Sequence, residues 1–150
     1  MPNAELWIAG EGDLRPELER WVTKRGLGAR VRFWGWVTEA KKQELLTHCR
    51  CLALPSTNEG FGLVYLEAMR LGRPCLVSTL DAGFEVVNPP EAGLAVDIEN
   101  EETLAAAICR LLAAEAEWAA WSRQARQRYE ARFTAGHFHE RLAAALTTLL

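Results

Sequence analysis

Short apolar runs alternate along this chain with longer stretches of helical period. The runs at 5–10 (ELWIAG), 31–37 (VRFWGWV), 51–56 (CLALPS), 74–78 (PCLVS) and 93–98 (GLAVDI) have strand length and carry turn residues at their ends. Between them, PELERWVTKRG sets Leu18, Trp21 and Val22 on one stripe and closes on Gly26. TEAKKQELLTHC starts at the N-cap candidate Thr38 and turns Leu45, Leu46 and Cys49 inward. LVYLEAMRLG spaces Leu63, Leu66 and Met69 by three and stops at Gly72, because Pro74 forbids continuation.

This order predicts an α/β, Rossmann-like three-layer sandwich: parallel strands need crossovers, and crossover helices cover both faces of the sheet. Beyond residue 98 the pattern is helical to the end, starting at the N-cap candidate Asn100 with Glu101 and Glu102 behind it. Trp118, Trp121, Ala125 and Tyr129 share one stripe there, and Phe138, Leu142 and Leu146 another. No linker or repeat interrupts the chain, so residues 1–150 are expected to form a single domain.

Composition narrows the function classes. Apolar residues make up 49% and charged ones 25% of the 150 residues, as in a globular protein, and the net charge of −3 argues against a nucleic-acid binder. Cys49, Cys51, Cys75 and Cys109 form no C-x-x-C or Cys/His pattern, which argues against a metal centre and predicts buried, reduced thiols in a cytoplasmic protein. The start MPNAELWIAG lacks a secretory pattern, and no apolar run approaches the roughly 20 residues of a membrane span. Gly10-x-Gly12 lacks the third glycine of a dinucleotide loop, where Arg15 stands instead. The basic run RQARQRYEARF reads as a solvated helix face, on which Arg123, Arg126 and Arg128 are placed to meet anionic headgroups.

The chemistry concentrates in STNEGFGLVYLEAMRLGRPCLVS, residues 56–78. In an open parallel sheet, ligands bind beyond the carboxyl ends of the strands. Pro55 ends such a strand, Ser56-Thr57-Asn58-Glu59 follows, and Gly60-Phe61-Gly62 leads into a helix near residue 62. Glycines let backbone approach a ligand, and a helix start offers unpaired N–H groups to phosphate. Glu59 precedes the helix and Glu67 falls in its second turn. Two readings stand: acids at a solvated helix start, or two carboxylates that read vicinal diols beside a phosphate seat, the outline of a nucleotide-sugar.

The span PSTNEGFGLVYLEAMRLGRPCLVS resembles the signature of family 4 (group 1) retaining glycosyltransferases, with Glu59 and Glu67 as the paired acids. ELWIAGEGDLRPELERW, VRFWGWV, GFEVV and AGLAVDIENEETLAAAICRLL resemble successive pieces of that family's C-terminal, donor-binding domain, one half of the GT-B architecture. The resemblance implies retaining transfer of a hexosyl group from a donor such as a UDP- or GDP-hexose to a glycan, lipid-linked saccharide or small molecule, in polysaccharide biosynthesis, without a metal. It implies that Glu67 binds the ribose hydroxyls and that the catalytic-face residue Glu59 contacts the sugar. It implies further that backbone around Phe61, Gly62 and Leu63 meets sugar and diphosphate oxygens, and that backbone at Trp36 and Val37 borders the base.

Three departures qualify that picture. The family's opening strand-helix unit, with its Arg and Lys for the diphosphate, has no counterpart before Ala4, and neither does the N-terminal acceptor domain. The family's Gly-Gly loop reads Ala82-Gly83-Phe84-Glu85. The expectation is therefore a chain inactive in isolation, completed by an N-terminal domain in cis or trans, with homodimerisation through uncovered sheet and peripheral membrane contact as further expectations. The alternative is a non-catalytic nucleotide or nucleotide-sugar binding module, or a subunit completed by a separate N-terminal domain chain.

Overall fold

Strand and helix alternate as the hydrophobic pattern predicts. In the computed structural model, which describes residues 3–57 and 59–148, the order is β1 (Leu6–Ala9), α1 (Arg15–Lys24), β2 (Val31–Gly35), α2 (Glu39–His48), β3 (Leu52–Ala53), α3 (Leu63–Arg70), β4 (Cys75–Ser78), α4 (Gly83–Val87), β5 (Gly93–Val96), α5 (Glu101–Ala113), α6 (Glu115–Arg132) and α7 (Ala135–Thr148). Two compact units divide the chain, Met1–Leu45 and Leu46–Leu150, with the boundary inside α2.

In the first unit β1 pairs in parallel with β2, Leu6 opposite Val31 and Ile8 opposite Phe33. Helix α1 joins them and stops as predicted: the Gly26 amide bonds the Thr23 carbonyl at 3.0 Å and the Leu27 amide the Val22 carbonyl at 3.0 Å, which closes the last turn. Its stripe differs from the expectation. Val22 is buried, whereas Leu18 is 43% and Trp21 50% exposed. A two-stranded sheet covers little of a helix, and the Trp21 ring lies instead against the Arg25 guanidinium, 4.9 Å from its centroid. Thr38 caps α2 as predicted, its hydroxyl accepting from the Lys41 amide at 3.2 Å.

In the second unit β3, β4 and β5 pair in that order, all parallel. All four residues of β4 are buried, and the two-residue period of a strand assigns them to opposite faces. Cys75 and Val77 join Tyr65, Ala68 and Met69 of α3, Val86 and Val87 of α4 and Ala125 of α6 in one core. Leu76 joins Val96, Leu111 of α5 and Trp121 of α6 in the other. Both faces are thus covered, which is the α/β/α layering of a Rossmann-like fold. Asn100 caps α5 as predicted, accepting from the Thr103 amide at 3.0 Å.

Several expectations are corrected here. The buried face of α3 is Tyr65, Ala68 and Met69, and Leu63 is 66% exposed, because a helix start has no preceding turn to cover it. The five-residue α4 is too short to leave a helical period in the sequence, which is why no helix is predicted there. Phe138, Leu142 and Leu146 share a stripe on α7 that remains exposed. Cys75 is buried, Cys49 and Cys51 are half-buried, and Cys109 is exposed. Arg128 is not part of a solvated basic face: it is buried among α6 contacts to α4, which removes it from any headgroup contact. Asn58, within the predicted ligand loop, lies outside the described residues.

Candidate functional site

The carboxyl ends of β3 and β4 leave the sheet side by side, Ala53 opposite Leu76 and the Leu54 amide bonded to the Leu76 carbonyl at 3.0 Å. The Leu54 carbonyl accepts twice, from the Ser56 amide at 2.9 Å and from the Tyr65 hydroxyl at 2.6 Å. That second bond reaches from the first turn of α3 back to the strand that precedes it. The connection ends at Gly62, whose φ of +74° is the left-handed conformation that glycine adopts without strain. Phe61 and Leu63, on either side, are 47% and 66% exposed.

The loop after β4 is built differently. The Asp81 carboxylate accepts from the Gly83 amide at 2.9 Å through Oδ1 and from the Ser56 hydroxyl through Oδ2. The Phe84 amide bonds the Asp81 carbonyl at 2.9 Å, so Asp81 closes the turn that starts α4.

Tyr65 lies between the two loops. A Cβ built on Gly62 would stand 2.4 Å from the Tyr65 ring, and one on Gly83 would also stand 2.4 Å from it. The ring is fully buried. Burial, then the nearby Asp81 carboxylate, raises its pKa from 10.0 to about 12, with Glu59 adding to the rise. The sign follows: below pH 10 the phenol is neutral folded or unfolded, and between about 10 and about 12 only the unfolded chain ionises. Stability contributed by Tyr65 is therefore expected to be lost over that window. Unfolding free energies from urea curves of the native chain and Tyr65→Phe, measured from pH 8 to pH 12, check this: the native chain's advantage of roughly 1 kcal/mol from the hydroxyl bond should shrink above pH 10 and then reverse.

The structure gathers five predicted site residues on the β3–α3 connection. Glu59 is half-buried before Gly62, and Glu67 is half-buried in the second turn of α3 with its Oε2 shielded from solvent. Phe61, Gly62 and Leu63 form the corner between them. Trp36, 78% exposed, and Val37, half-buried, follow β2 in the other unit. Sequence reasoning missed Tyr65, Asp81 and the role of Ser56. An Asp two residues before a Gly at the end of an apolar run is an Asx-turn pattern, and it was legible; the packing of Tyr65 against the distant Gly83 was not.

A sequence model of the family described as glycosyl transferases group 1 matches residues 1–114. An uncharacterised glycosyltransferase of Methanocaldococcus jannaschii is 34% identical over 110 residues, 73% of this chain and 28% of that protein. The lipopolysaccharide core biosynthesis glycosyltransferase LpsD of Rhizobium meliloti is 35% identical over 109 residues, 73% of this chain and 31% of that protein. Among solved structures, Anabaena HepE in complex with UDP-glucose superposes with a TM-score of 0.87 at 25% identity, over 99% of this chain and 42% of that one. The chain thus spans about a third or less of the length of these two sequence relatives.

Proposed function

The chain belongs to the glycosyl transferases group 1 family and has the fold of the C-terminal domain of GT-B glycosyltransferases, and from that premise we propose that its 150 residues act as one domain binding a nucleotide-diphosphate sugar. The observation that carries the reading is the β3–α3 connection, where Glu59 and Glu67 flank the left-handed Gly62 and the start of an eight-residue helix. Diphosphate oxygens, which carry negative charge, suit the amides that open α3 ahead of Tyr65, whose own amide bonds the Gly62 carbonyl at 2.9 Å. Glu67 accepts from the two ribose hydroxyls, and Glu59 from hydroxyls of the sugar beside the reacting carbon. That HepE binds UDP-glucose on the same fold supports a uridine or related nucleotide.

In the complete enzyme the bond from the sugar's anomeric carbon to the diphosphate breaks. The acceptor hydroxyl bonds to that carbon on the same face, loses its proton, and nucleoside diphosphate departs. The acceptor side is expected to come from an N-terminal domain in cis or trans, and the relatives' greater length supports this. The 150 residues alone are expected to bind donor and not transfer it.

Calorimetric titration with UDP, GDP, ADP and their glucose or mannose conjugates tests the reading. One nucleotide class is expected to bind, and Glu67→Ala to weaken it by roughly 10- to 100-fold, the equivalent of about 1.5–3 kcal/mol for charge-assisted bonds. Binding that survives Glu67→Ala undiminished would remove the ribose assignment.

A further inference from the structure

Asp81 is an acid at the end of a strand where a diphosphate is to be held, and a free carboxylate there would repel it. The side chain is not free. It is only 8% exposed, and its two oxygens are engaged on two different loops: Oδ1 takes the Gly83 amide of its own loop, and Oδ2 takes the Ser56 hydroxyl of the loop after β3. Ser56 is in turn fixed at its amide by the Leu54 carbonyl, the same carbonyl that holds the Tyr65 hydroxyl. A chain of hydrogen bonds therefore runs from the start of α4 through Asp81 and Ser56 to the end of β3 and on to α3.

We propose that Asp81 is a positioning residue that latches the β4–α4 loop to the β3–α3 connection, so that both present one geometry to the donor's diphosphate and sugar. The proposal rests on the donor-binding reading of that connection. Two adjacent parallel strands end in separate loops, and apart from their shared packing on Tyr65 the Asp81 carboxylate is what joins them. A ligand that spans both binds more weakly when the loops must first be ordered, because the ordering entropy is then lost on binding. A carboxylate is suited to the task because each oxygen accepts independently, one per loop. Asparagine preserves the geometry with one reversal, its carbonyl accepting from Gly83 and its amide donating to the Ser56 oxygen. Alanine preserves neither bond.

Two measurements on the full chain decide it. Amide hydrogen exchange without ligand reads the latch itself: Ser56→Ala is expected to speed exchange about tenfold at Gly83, Phe84 and Glu85, which are distant in sequence from the altered residue. Titration with UDP-glucose reads its consequence. Asp81→Ala is expected to weaken binding about tenfold, Asp81→Asn to stay within about threefold of the native chain, and Ser56→Ala combined with Asp81→Ala to be no weaker than Asp81→Ala alone. A residue that merely supports folding would lower thermal stability in Asp81→Ala without the asparagine rescue or the non-additivity in affinity. Unchanged exchange at residues 83–85 in Ser56→Ala overturns the latch, and native affinity in Asp81→Ala overturns its positioning role. Should the native chain bind no nucleotide at millimolar concentration, the donor reading fails first, and the exchange experiment alone then decides whether the two loops are coupled.

Discussion

Arg128→Met is expected to destabilise the second unit by about 3 kcal/mol, more than any other change to a charged residue considered for this chain. The guanidinium is buried, with 8% of the side chain exposed, and each of its nitrogens has a separate acceptor. Nε donates to the Val86 carbonyl at 2.8 Å, Nη2 to the Glu85 carbonyl at 2.8 Å, and Nη1 to the Glu91 carboxylate at 3.3 Å. Val86 and Glu85 lie in the last turn of α4, and the last carbonyls of a helix have no acceptor-satisfying amide within the helix itself. In a five-residue helix that shortfall is a large part of the total. Methionine keeps most of the volume and removes every donor, so the buried Val86 carbonyl and the part-buried Glu85 carbonyl both lose this partner, at about 1–3 kcal/mol for the buried one and less for the other, partly offset by the absent desolvation of a charge. Arg128→Lys, with one compact donor group, should fall between the two. Urea unfolding at pH 7 followed by circular dichroism measures both; a loss under about 1 kcal/mol for methionine would mean that solvent reaches those carbonyls.

The same residue marks how far the sequence could be read. The strand runs and helix caps were legible because each depends on local chemistry: Asn100 and Thr38 cap helices by bonding amides three residues on, and Gly26 ends α1 within its own turn. The strand-helix alternation was legible because burial on both faces leaves continuous apolar runs such as CLVS in β4. Arg128 was not legible. Its periodic position within a basic run predicts solvent, and only the placement of α4, 42 residues earlier in the chain, makes it a buried cap. The exposed Leu18, Trp21, Phe138, Leu142 and Leu146 fail for the converse reason: an apolar stripe states what a helix can cover, and the described residues leave those stripes open. In the site, the acids and glycines of residues 59–67 stood out because their chemistry is carried by residue type, whereas the Asp81–Ser56 bond and the packing of Tyr65 on Gly83 join residues that sequence spacing does not bring together.

Alanine at Gly62 or Gly83 is expected to lower stability before any ligand is considered, and this separates two reasons for a glycine in the donor loop. Close approach of backbone to a phosphate or sugar requires glycine only in the complex. The structure supplies a second requirement in the free protein, since a methyl at either position would overlap the Tyr65 ring by standing 2.4 Å from it. The ring has little room to yield: it is fully buried, and its hydroxyl is tethered to the Leu54 carbonyl at 2.6 Å. Overpacking of this kind costs roughly 1–3 kcal/mol. At Gly62 the φ of +74° adds the left-handed strain of a residue with a Cβ, about 1 kcal/mol or more. Gly62→Ala should therefore cost about 3–4 kcal/mol and Gly83→Ala about 2–3 kcal/mol in the unliganded chain. Tyr65→Leu should recover part of the Gly83→Ala loss, because the smaller side chain makes room for the methyl, while the backbone share of the Gly62→Ala loss persists. If both glycine variants unfold at the native urea midpoint and lose only nucleotide affinity, the glycines answer to the ligand alone; if stability falls as expected, the loop that meets the donor is shaped first by a tyrosine packed behind it.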